Sequence, residues 1–446
     1  MKGRLFGTDG IRGVAFEPPL DKPTLTRLGA ALASHLREAG LPVRVLLAGD
    51  TRASTRALAE YVGGAFAAAG GEVHWAGVLP TPAVSHLLRD RGVYGAGVVV
   101  SASHNPAADN GVKLVGETGS KLPVEEEVRI EARLASMPPE VPVLSLAGTE
   151  GGWRLRYLEL LLGSLPARPL AGMRVVVDAA NGAATPVARE FFSALGAEVR
   201  LIHAEPDGTN INARCGALFP EILAREVRQL NADAGAALDG DADRAILVTH
   251  TGRVLDGDDA LLIWARSLAR ADRLPRRTVV ATVMSNLGLE DALRREAIAL
   301  VRCPVGDREV WETMQREGAA LGGEQSGHVI CSHHAVTGDG LLTAAHLLTV
   351  ARQSGSTLEE LADLQRFPQV LLNVRVATRR PVDEIPGLAE AVRAAEARLA
   401  GSGRVFVRYS GTEPLLRIMV EASGEEQARE TAEHLAAVAR EHLGAA

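Results

Sequence analysis

The sequence is poor in cysteine and has no excess of positive charge. Its three cysteines, Cys215, Cys303 and Cys331, are scattered and form no CxxC pair, which excludes a disulfide framework and favours a reducing compartment. The formal net charge of -7 gives no indication of nucleic acid or an acidic membrane as a bulk partner. Any phosphate must therefore be bound locally, by a few placed cations.

Long apolar runs are absent as well. No run approaches the roughly 18 residues that a membrane span requires, and the N-terminal segment MKGRLFGTDGIRG lacks the apolar core of a signal peptide. We therefore expect a cytoplasmic protein. With 446 residues the chain is too long for one ordinary core, because domains usually hold about 100–200 residues.

What is present is a regular alternation of strand and helix patterns. Strand-like runs that end in polar turns recur in VRVLLAGDTR, MRVVVDAANG and RTVVATVMSNLG, each early in a stretch of about 100–150 residues. The last segment reads instead as strand, helix, two strands and a helix. We predict three similar mixed α/β domains over residues 1–150, 151–252 and 253–368, followed by a smaller α+β domain over residues 369–446.

The first loop that could take part in a reaction is SASHNP, which follows the buried run that ends at Val100. Open α/β sheets bind their ligands at the carboxyl ends of strands, so a serine displayed there can act as a nucleophile or a phosphoryl carrier, with His104 and Lys113 near it. The same sequence is also typical of an ordinary turn between a strand and a helix. No GxSxG elbow is present, which disfavours a serine hydrolase.

The second loop is LDGDADR, in which Asp239, Asp241 and Asp243 alternate. Three carboxylates that turn toward one point suit Mg²⁺ or Ca²⁺. An EF-hand beginning at Asp239 is excluded, since Arg244 occupies the position of the turn glycine and His250 that of the bidentate glutamate. A solvated acidic turn is the alternative, but clustered like charges repel unless a cation offsets them.

Two further loops combine glycine with polar side chains. In GGEQSGHV, Glu324 and Ser326 can pair with the vicinal hydroxyls of a sugar, although a glycine-rich turn is the simpler interpretation. In VRYSGTEPLLR, the SGT turn offers backbone N–H groups to an anion, and Arg408 and Arg417 supply guanidinium forks that match phosphate geometry; a plain hairpin turn is compatible with this.

The ordered set of loops resembles the α-D-phosphohexomutase superfamily over essentially the whole chain. The stretches that carry the resemblance are FGTDGIRG, SASHNPAADNGVK, LDGDADR, TVMSNLGLE, PVGDR, GGEQSGHV with TGDG, and RYSGTEPLLRIMVE. Within the superfamily, VMSNLGLE, VGDR and GEQSGH look like its glucosamine branch. The resemblance implies four domains around a deep central cleft.

Carried over residue by residue, the resemblance implies a role for each matching side chain. Ser103 is the phosphorylated serine and a metal ligand through its phosphate, whereas Ser101 is a loop residue. The sequence leaves the general base open between His328, Lys113 and other residues nearby. The remaining roles are Asp239, Asp241 and Asp243 for one Mg²⁺ per chain; Glu324 and Ser326 for sugar hydroxyls; Arg408, Ser410, Gly411, Thr412 and Arg417 for the non-reacting phosphate; and Arg12, His104, Lys113 and Arg244 for the reacting phosphate. One departure is visible: Ala242 stands where the metal loop usually has glycine, and a methyl group is tolerated there if φ is negative.

The implied activity is the interconversion of glucosamine 6-phosphate and glucosamine 1-phosphate, in a monomer or homodimer. It would run through a phosphoserine enzyme and glucosamine 1,6-bisphosphate as intermediate and primer, and would supply UDP-N-acetylglucosamine and peptidoglycan precursors. A phosphomannomutase/phosphoglucomutase with the same mechanism is the nearest alternative. A Mg²⁺-dependent phosphatase and a non-catalytic sugar-phosphate sensor are alternatives from other classes.

Overall fold

A computed structural model describes residues 4–89, 92–138, 140–146, 152–376, 380–409 and 415–443. The chain divides into two compact units, Met1–Met284 with Leu300–Asp363, and Ser285–Ala299 with Leu364–Ala446. The first unit contains three sheets and the second contains one.

The first sheet has five strands in the order β1-β5-β4-β2-β3. Strand β2 is parallel to β3 and β4, whereas β5 is antiparallel to β4 and β1. Strand β4 is buried along its whole length, which explains its unbroken apolar sequence. The elements are β1 (Ile11–Val14), α1 (Lys22–Glu38), β2 (Arg44–Gly49), α2 (Thr55–Ala68), β3 (Glu72–Val78), α3 (Thr81–Leu88), β4 (Ala96–Val100), β5 (Asp109–Gly116) and α4 (Val124–Ser136).

The second sheet repeats this topology in the order β10-β9-β8-β6-β7. Strand β6 is parallel to β7 and β8, and the chain then turns back through the antiparallel strands β9 and β10. The elements are α5 (Trp153–Gly163), β6 (Arg174–Asp178), α6 (Ala188–Ala194), β7 (Glu198–Ile202), a 3₁₀ turn (Gly216–Leu218), α7 (Pro220–Gln229), β8 (Ala234–Leu238), β9 (Ala245–Thr249) and β10 (Val254–Leu255).

The third sheet has four strands in the order β12-β11-β13-β14. Strand β13 is parallel to β11 and antiparallel to β14. Its elements are α8 (Gly257–Arg270), a 3₁₀ turn (Pro275–Arg277), β11 (Thr278–Thr282), β12 (Ala299–Cys303), α10 (Asp307–Glu317), β13 (Leu321–Gly323), β14 (Val329–Cys331), α11 (Gly340–Ser354) and α12 (Leu358–Leu361).

One bend recurs in all three sheets, where a strand of the parallel part connects to its antiparallel neighbour. The bend joins β4 to β5, β8 to β9 and β13 to β14. The SASHNP, LDGDADR and EQSGH loops occupy these three equivalent bends. The sequences of the three units are only weakly similar, but their folds repeat the same topology, as predicted.

The second unit is built on an antiparallel sheet in the order β15-β17-β16. Its core includes Val374, Leu388, Leu416, Ile418 and Leu435. Its elements are α9 (Leu287–Arg295), β15 (Gln369–Arg375), a 3₁₀ turn (Val382–Glu384), α13 (Leu388–Leu399), β16 (Gly403–Tyr409), β17 (Leu415–Ala422) and α14 (Glu425–Leu443).

The predicted fold class is confirmed, since three similar mixed α/β sheets precede a smaller α+β segment. The boundaries proposed between the domains stay a prediction. In the described part of the chain, every helix is too short or too polar to span a bilayer.

Candidate active site

Ser103 lies in the bend between β4 and β5, and its side chain reaches the metal loop of the second sheet. Only 1% of the residue is exposed. Its hydroxyl donates to Asp239 Oδ2 at 2.6 Å, and its Oγ lies 3.3 Å from His104 Nδ1. The structure thus brings the SASHNP and LDGDADR loops together. Ser101 faces the other way, since its hydroxyl donates to Asp50 Oδ2 at 2.6 Å.

The three aspartates of the metal loop form a buried carboxylate cluster. One oxygen from each of Asp239, Asp241 and Asp243 lies within 4.8 Å of the others. Burial, and then the charges of the other two carboxylates, raise the pKa of Asp239 well above its usual value. The Oδ1 atoms of Asp241 and Asp243 are buried without a hydrogen-bond partner. Hard oxygen donors with unused lone pairs and mutual repulsion fit a divalent cation.

Lys113 neutralises part of this acidic cluster. Its Nζ lies 2.8 Å from Asp241 Oδ2, 3.0 Å from Asp9 Oδ2 and 3.8 Å from Asp243 Oδ2. Burial opposes its charge, but these carboxylates raise the pKa of Lys113 above its ordinary value. The lysine is therefore an ammonium in this arrangement. Arg12 also pairs with Asp9, and its Nη1 donates to Asn105 Oδ1 at 3.4 Å.

His104 lies beside the Ser103 hydroxyl, and Arg244 contacts the aspartates of the metal loop. Arg244 donates its backbone N–H to Asp239 Oδ1 at 3.3 Å, and its Nε lies 3.7 Å from Asp243 Oδ1. Burial, together with the charges of Arg244 and Arg12, lowers the pKa of His104 to about 4. The imidazole beside Ser103 is therefore neutral at pH 7, so the positive charge there is supplied by the arginines and Lys113.

His328 has both ring nitrogens engaged. Its Nδ1 lies 3.5 Å from Asp243 Oδ2, and its Nε2 accepts from the backbone N–H of Gly338 at 3.0 Å. Burial opposes protonation, whereas the contact with Asp243 raises the pKa of His328 to about 8. A pKa near 8 alone would make the ring an imidazolium at pH 7, but Nε2 accepts the N–H of Gly338 and so carries no proton; the hydrogen bonds therefore assign the neutral ring with its proton on Nδ1.

Glu324 and Ser326 lie in the third equivalent bend. The Ser326 hydroxyl donates to Glu324 Oε2 at 3.2 Å, and the backbone N–H of Gly306 donates to Glu324 Oε1 at 3.0 Å. Backbone bonding ties this loop to the metal loop, because Ala245 donates to the carbonyl of Gly327 at 3.1 Å. The three bends therefore form one continuous polar site in the first unit.

The phosphate-loop prediction falls in the second unit and is described only in part. Arg408 on β16 is paired directly with Arg417 on β17. Burial and the charge of Arg417 lower the pKa of Arg408. Two guanidinium forks on neighbouring strands match the geometry of a phosphate. Ser410, Gly411 and Thr412 lie outside the described residues.

Ala242 does not have the backbone that would suit its methyl group. Its φ is +58°, in the left-handed region where glycine is favoured. Its N–H donates to the carbonyl of Asp239 at 3.0 Å, which closes the tight turn that returns Asp243 toward Asp239. Alanine in place of the expected glycine is therefore accommodated with local strain, while the three aspartates remain clustered.

Sequence reasoning missed several side chains that complete the site. Thr81 donates to Asp241 Oδ2 at 2.5 Å, and Asp9 accepts from Lys113, Lys121 and Arg12. Lys121 also lies 2.6 Å from Asp307, within the VGDR stretch. The only signal in the sequence was that Asp9 and Asp307 belong to stretches singled out for other reasons.

Four domain families match the chain in order. They are phosphoglucomutase/phosphomannomutase alpha/beta/alpha domains I, II and III at residues 3–139, 156–252 and 256–367, and the C-terminal domain at residues 371–438. A putative phosphomannomutase from Thermus thermophilus shares the fold with a TM-score of 0.78 and 27% identity, covering 96% of this chain and 98% of that one.

Curated relatives match the chain from end to end. The phosphoglucosamine mutase of Solibacter usitatus is 48% identical over 448 residues, covering 100% of both chains. That of Moorella thermoacetica is 48% identical over 436 residues, covering 95% of this chain and 96% of its own. The chain therefore belongs to the phosphoglucomutase/phosphomannomutase family, on the branch of the phosphoglucosamine mutases, and is an isomerase that moves a phosphoryl group within a sugar phosphate.

Proposed function

We propose that the chain interconverts glucosamine 6-phosphate and glucosamine 1-phosphate with Ser103 as the phosphoryl carrier. The observation that carries the proposal is the buried Ser103 hydroxyl, 2.6 Å from a carboxylate of an acidic cluster, in a chain 48% identical to phosphoglucosamine mutases. The product would feed UDP-N-acetylglucosamine and peptidoglycan precursors. Buried free thiols at Cys215, Cys303 and Cys331 support a cytoplasmic location.

The reaction is two phosphoryl transfers in opposite directions. In the first, the bond from phosphorus to Ser103 Oγ breaks as a bond to O1 of glucosamine 6-phosphate forms, and the O1 proton leaves. The product is glucosamine 1,6-bisphosphate. After the intermediate reorients, the bond from phosphorus to O6 breaks as a bond to Ser103 Oγ forms, O6 takes up a proton in place of the one lost from O1, and glucosamine 1-phosphate remains. The same phosphate-binding loop must accept a phosphate on either end of the sugar. Arg408 and Arg417 can do so because they bind the phosphate dianion itself rather than the sugar.

The residues around Ser103 stabilise the charge of the transferring group. Mg²⁺, when bound by Asp239, Asp241 and Asp243, would supply charge neutralisation during phosphoryl transfer. Arg12, Lys113 and Arg244 add fixed positive charge on the described loops, and the neutral His104 can hydrogen-bond a phosphate oxygen. A solved N-acetylphosphoglucosamine mutase from Aspergillus fumigatus holds GlcNAc-6P and magnesium, the ligand types proposed here.

Neither candidate base has a free lone pair in this arrangement. Three carboxylates hold Lys113 as an ammonium. His328 donates from Nδ1 toward Asp243 and accepts at Nε2 from Gly338. If either residue removes the sugar hydroxyl proton, its contact must change when substrate binds; otherwise another residue nearby is the base.

The test is a ³¹P NMR time course with Mg²⁺, glucosamine 6-phosphate and a trace of glucosamine 1,6-bisphosphate. Growth of glucosamine 1-phosphate without free phosphate supports the proposal. Release of free phosphate alone would indicate a phosphatase, and bound sugar phosphate without turnover would indicate a sensor. Faster reaction of glucose or mannose 6-phosphate would place the chain with the phosphomannomutases/phosphoglucomutases, which use the same mechanism.

Two serine variants identify the carrier. Ser103→Ala should abolish both turnover and incorporation of ³²P from labelled bisphosphate, because it removes the accepting oxygen. Ser101→Ala distinguishes the two serines of the loop: it should still become labelled at Ser103, more slowly than wild type because it removes the acceptor of the Ser103 N–H. Labelling of the Ser103→Ala protein at wild-type stoichiometry would refute the assignment.

A further inference from the structure

The backbone of the carrier residue has an unfavourable conformation that side chains from elsewhere hold in place. Ser103 has a φ of +51°, in the left-handed region that residues with a Cβ rarely adopt. Such a conformation persists only when the surrounding structure determines it. Its N–H donates to Ser101 Oγ at 3.0 Å, and Ser101 is itself held by Asp50.

The carbonyl side of the loop is held by Arg52, whose side chain is fully buried. One terminal nitrogen, Nη2, donates to the carbonyl of Ser103 at 3.0 Å and to that of Asn105 at 2.9 Å. The other, Nη1, donates to the carbonyl of Pro106 at 3.2 Å. The Nε atom lies 3.1 Å from Asp50 Oδ2, which neutralises the buried guanidinium. One arginine therefore fixes three carbonyls of the SASHNP loop (residues 101–106), which we call the carrier loop.

A second side chain, from the second sheet's domain, holds two of the same carbonyls. Asn212 Nδ2 donates to the carbonyl of Ser103 at 2.9 Å and to that of Asn105 at 3.0 Å. The carbonyl of Ser103 thus accepts from both Arg52 and Asn212, so its direction is set by two donors that approach along different paths. Because the peptide plane is rigid, fixing this oxygen also fixes the position of the Ser103 Cα.

The repeated fold shows that Arg52 is not needed to form its own turn. In the second sheet, Asp178 ends β6 as Asp50 follows β2, and it accepts from the N–H two residues on, at Ala180, as Asp50 does from Arg52. The other oxygen of Asp178 accepts from His203 and from the N–H of Gly216. The turn closes there with alanine where the first sheet has arginine. The turn after β2 therefore does not require the Arg52 side chain, whose guanidinium donates instead to carbonyls of the carrier loop.

We propose that Arg52 and Asn212 are positioning residues that aim the Ser103 oxygen for phosphoryl transfer. The inference rests on the proposed function of Ser103 as carrier. Since a misplacement of about 1 Å can slow a reaction about 100-fold, loss of this support should lower the transfer rate. The binding of sugar phosphate should change little, because Glu324, Ser326, Arg408 and Arg417 are untouched.

Two variants test the proposal without relying on one fold-sensitive change. Arg52→Lys keeps the charge near Asp50 but loses the fork that reaches three carbonyls. Asn212→Gly removes the amide donor while tolerating the φ of +58° at that position. The matched controls are Arg56→Lys on α2, whose guanidinium donates to the carbonyl of Leu146, and Asn231→Gly, an exposed residue with a φ of +46°.

The readouts separate positioning from folding. Each protein is loaded with phosphate from glucosamine 1,6-bisphosphate, and transfer to glucosamine 6-phosphate is followed in a single turnover by rapid quench. We expect Arg52→Lys and Asn212→Gly to slow transfer by about 10–100-fold, with the affinity for sugar phosphate within about 3-fold of wild type and the controls unchanged. The double variant should fall by less than the product of the single effects, since both residues hold the same two carbonyls.

Two results would overturn the inference. Wild-type transfer rates in both variants would show that the carbonyl contacts do not aim Ser103. Parallel losses of transfer, sugar-phosphate affinity and thermal stability would show a purely structural role. Failure of the proposed function is distinguished by Ser103→Ala: if that variant still accepts phosphate, the carrier is another residue and the positioning role is refuted with it.

Discussion

Gly240 provides a direct test of how closely the carrier loop and the metal loop must approach. A Cβ added at this residue would lie 2.5 Å from the carbonyl oxygen of Ser103, 2.8 Å from Asn212 Nδ2 and 3.0 Å from Ile211 Cδ1. Ordinary contacts of this kind begin at 3.4 Å. Gly240→Ala therefore requires the Ser103 backbone to move by nearly 1 Å, because the atom it meets belongs to the main chain and cannot rotate away.

The expected magnitude follows from that displacement. Overpacking of this kind costs about 1–3 kcal/mol of folding free energy. A shift of about 1 Å at Ser103, the proposed carrier, should reduce kcat about 100-fold, equivalent to about 2.7 kcal/mol of activation free energy. The KM for glucosamine 6-phosphate should change little, because Gly240 does not face the sugar loop.

The assay is steady-state turnover together with thermal unfolding of the same preparations. Gly163→Ala is the matched control, since its added methyl group meets no atom within 4 Å and it lies at the end of α5. Alanine there should leave kcat unchanged and stabilise the helix by up to about 1 kcal/mol. A Gly240→Ala protein that is folded and turns over within about twofold of wild type would refute the claim that sub-ångström placement of Ser103 limits the rate.

Three further predictions test the cation site, the phosphate site and the acid stability. Asp241→Asn should remove most of the stabilisation that Mg²⁺ gives in thermal unfolding, about 2.7 kcal/mol at 100 times the Kd for wild type; an unchanged Mg²⁺ effect, with exposed Asp207→Asn as control, would exclude the acidic cluster as the site. Arg408→Gln should raise the KM for sugar phosphate at least tenfold while stabilising its sheet by about 0.2–1 kcal/mol, since it relieves repulsion from Arg417; equal KM values, with exposed Arg393→Gln as control, would argue against phosphate binding there. Burial, with the charge of Arg273, lowers the pKa of His334 to about 4, and burial with the charge of His334 lowers the pKa of His346 to about 3. Because the unfolded chain then binds more protons, stability should fall as pH drops from about 6.5 toward 4. The slope should stay below about 1.4 kcal/mol per pH unit for the pair, since solvent screens the partly exposed His334 and the two titrations are coupled. His334→Gln should flatten this slope in urea titrations and exposed His434→Gln should not; identical slopes for the two variants would contradict the assignment.

The loops could be predicted from the sequence because their signals are local. A buried run such as Val98–Val100 followed by polar residues indicates a strand end, and alternating aspartates indicate a cation site whatever lies elsewhere in the chain. The strands of the repeat were found for the same reason, since burial on both faces leaves an unbroken apolar run.

The supporting residues could not be predicted because their partners are remote in sequence. Thr81 meets Asp241 across 160 positions, and Asn212 meets Ser103 across 109. A threonine or asparagine carries no pattern that reveals such a partner. The positive φ of Ala242 could not be predicted from the alanine itself. The turn that brings Asp243 back toward Asp239 imposes this left-handed backbone.

The three equivalent bends have a consequence for how such a site can originate. A unit that is copied along a chain delivers the same hairpin three times, and each copy can change its loop without disturbing the strands that carry it. Here one bend holds a serine, one holds three acids and one holds a glutamate with a serine, so one repeated hairpin carries three different sets of polar side chains. The strands fix where each loop stands in its sheet, and the residues between them alone decide which polar groups it presents.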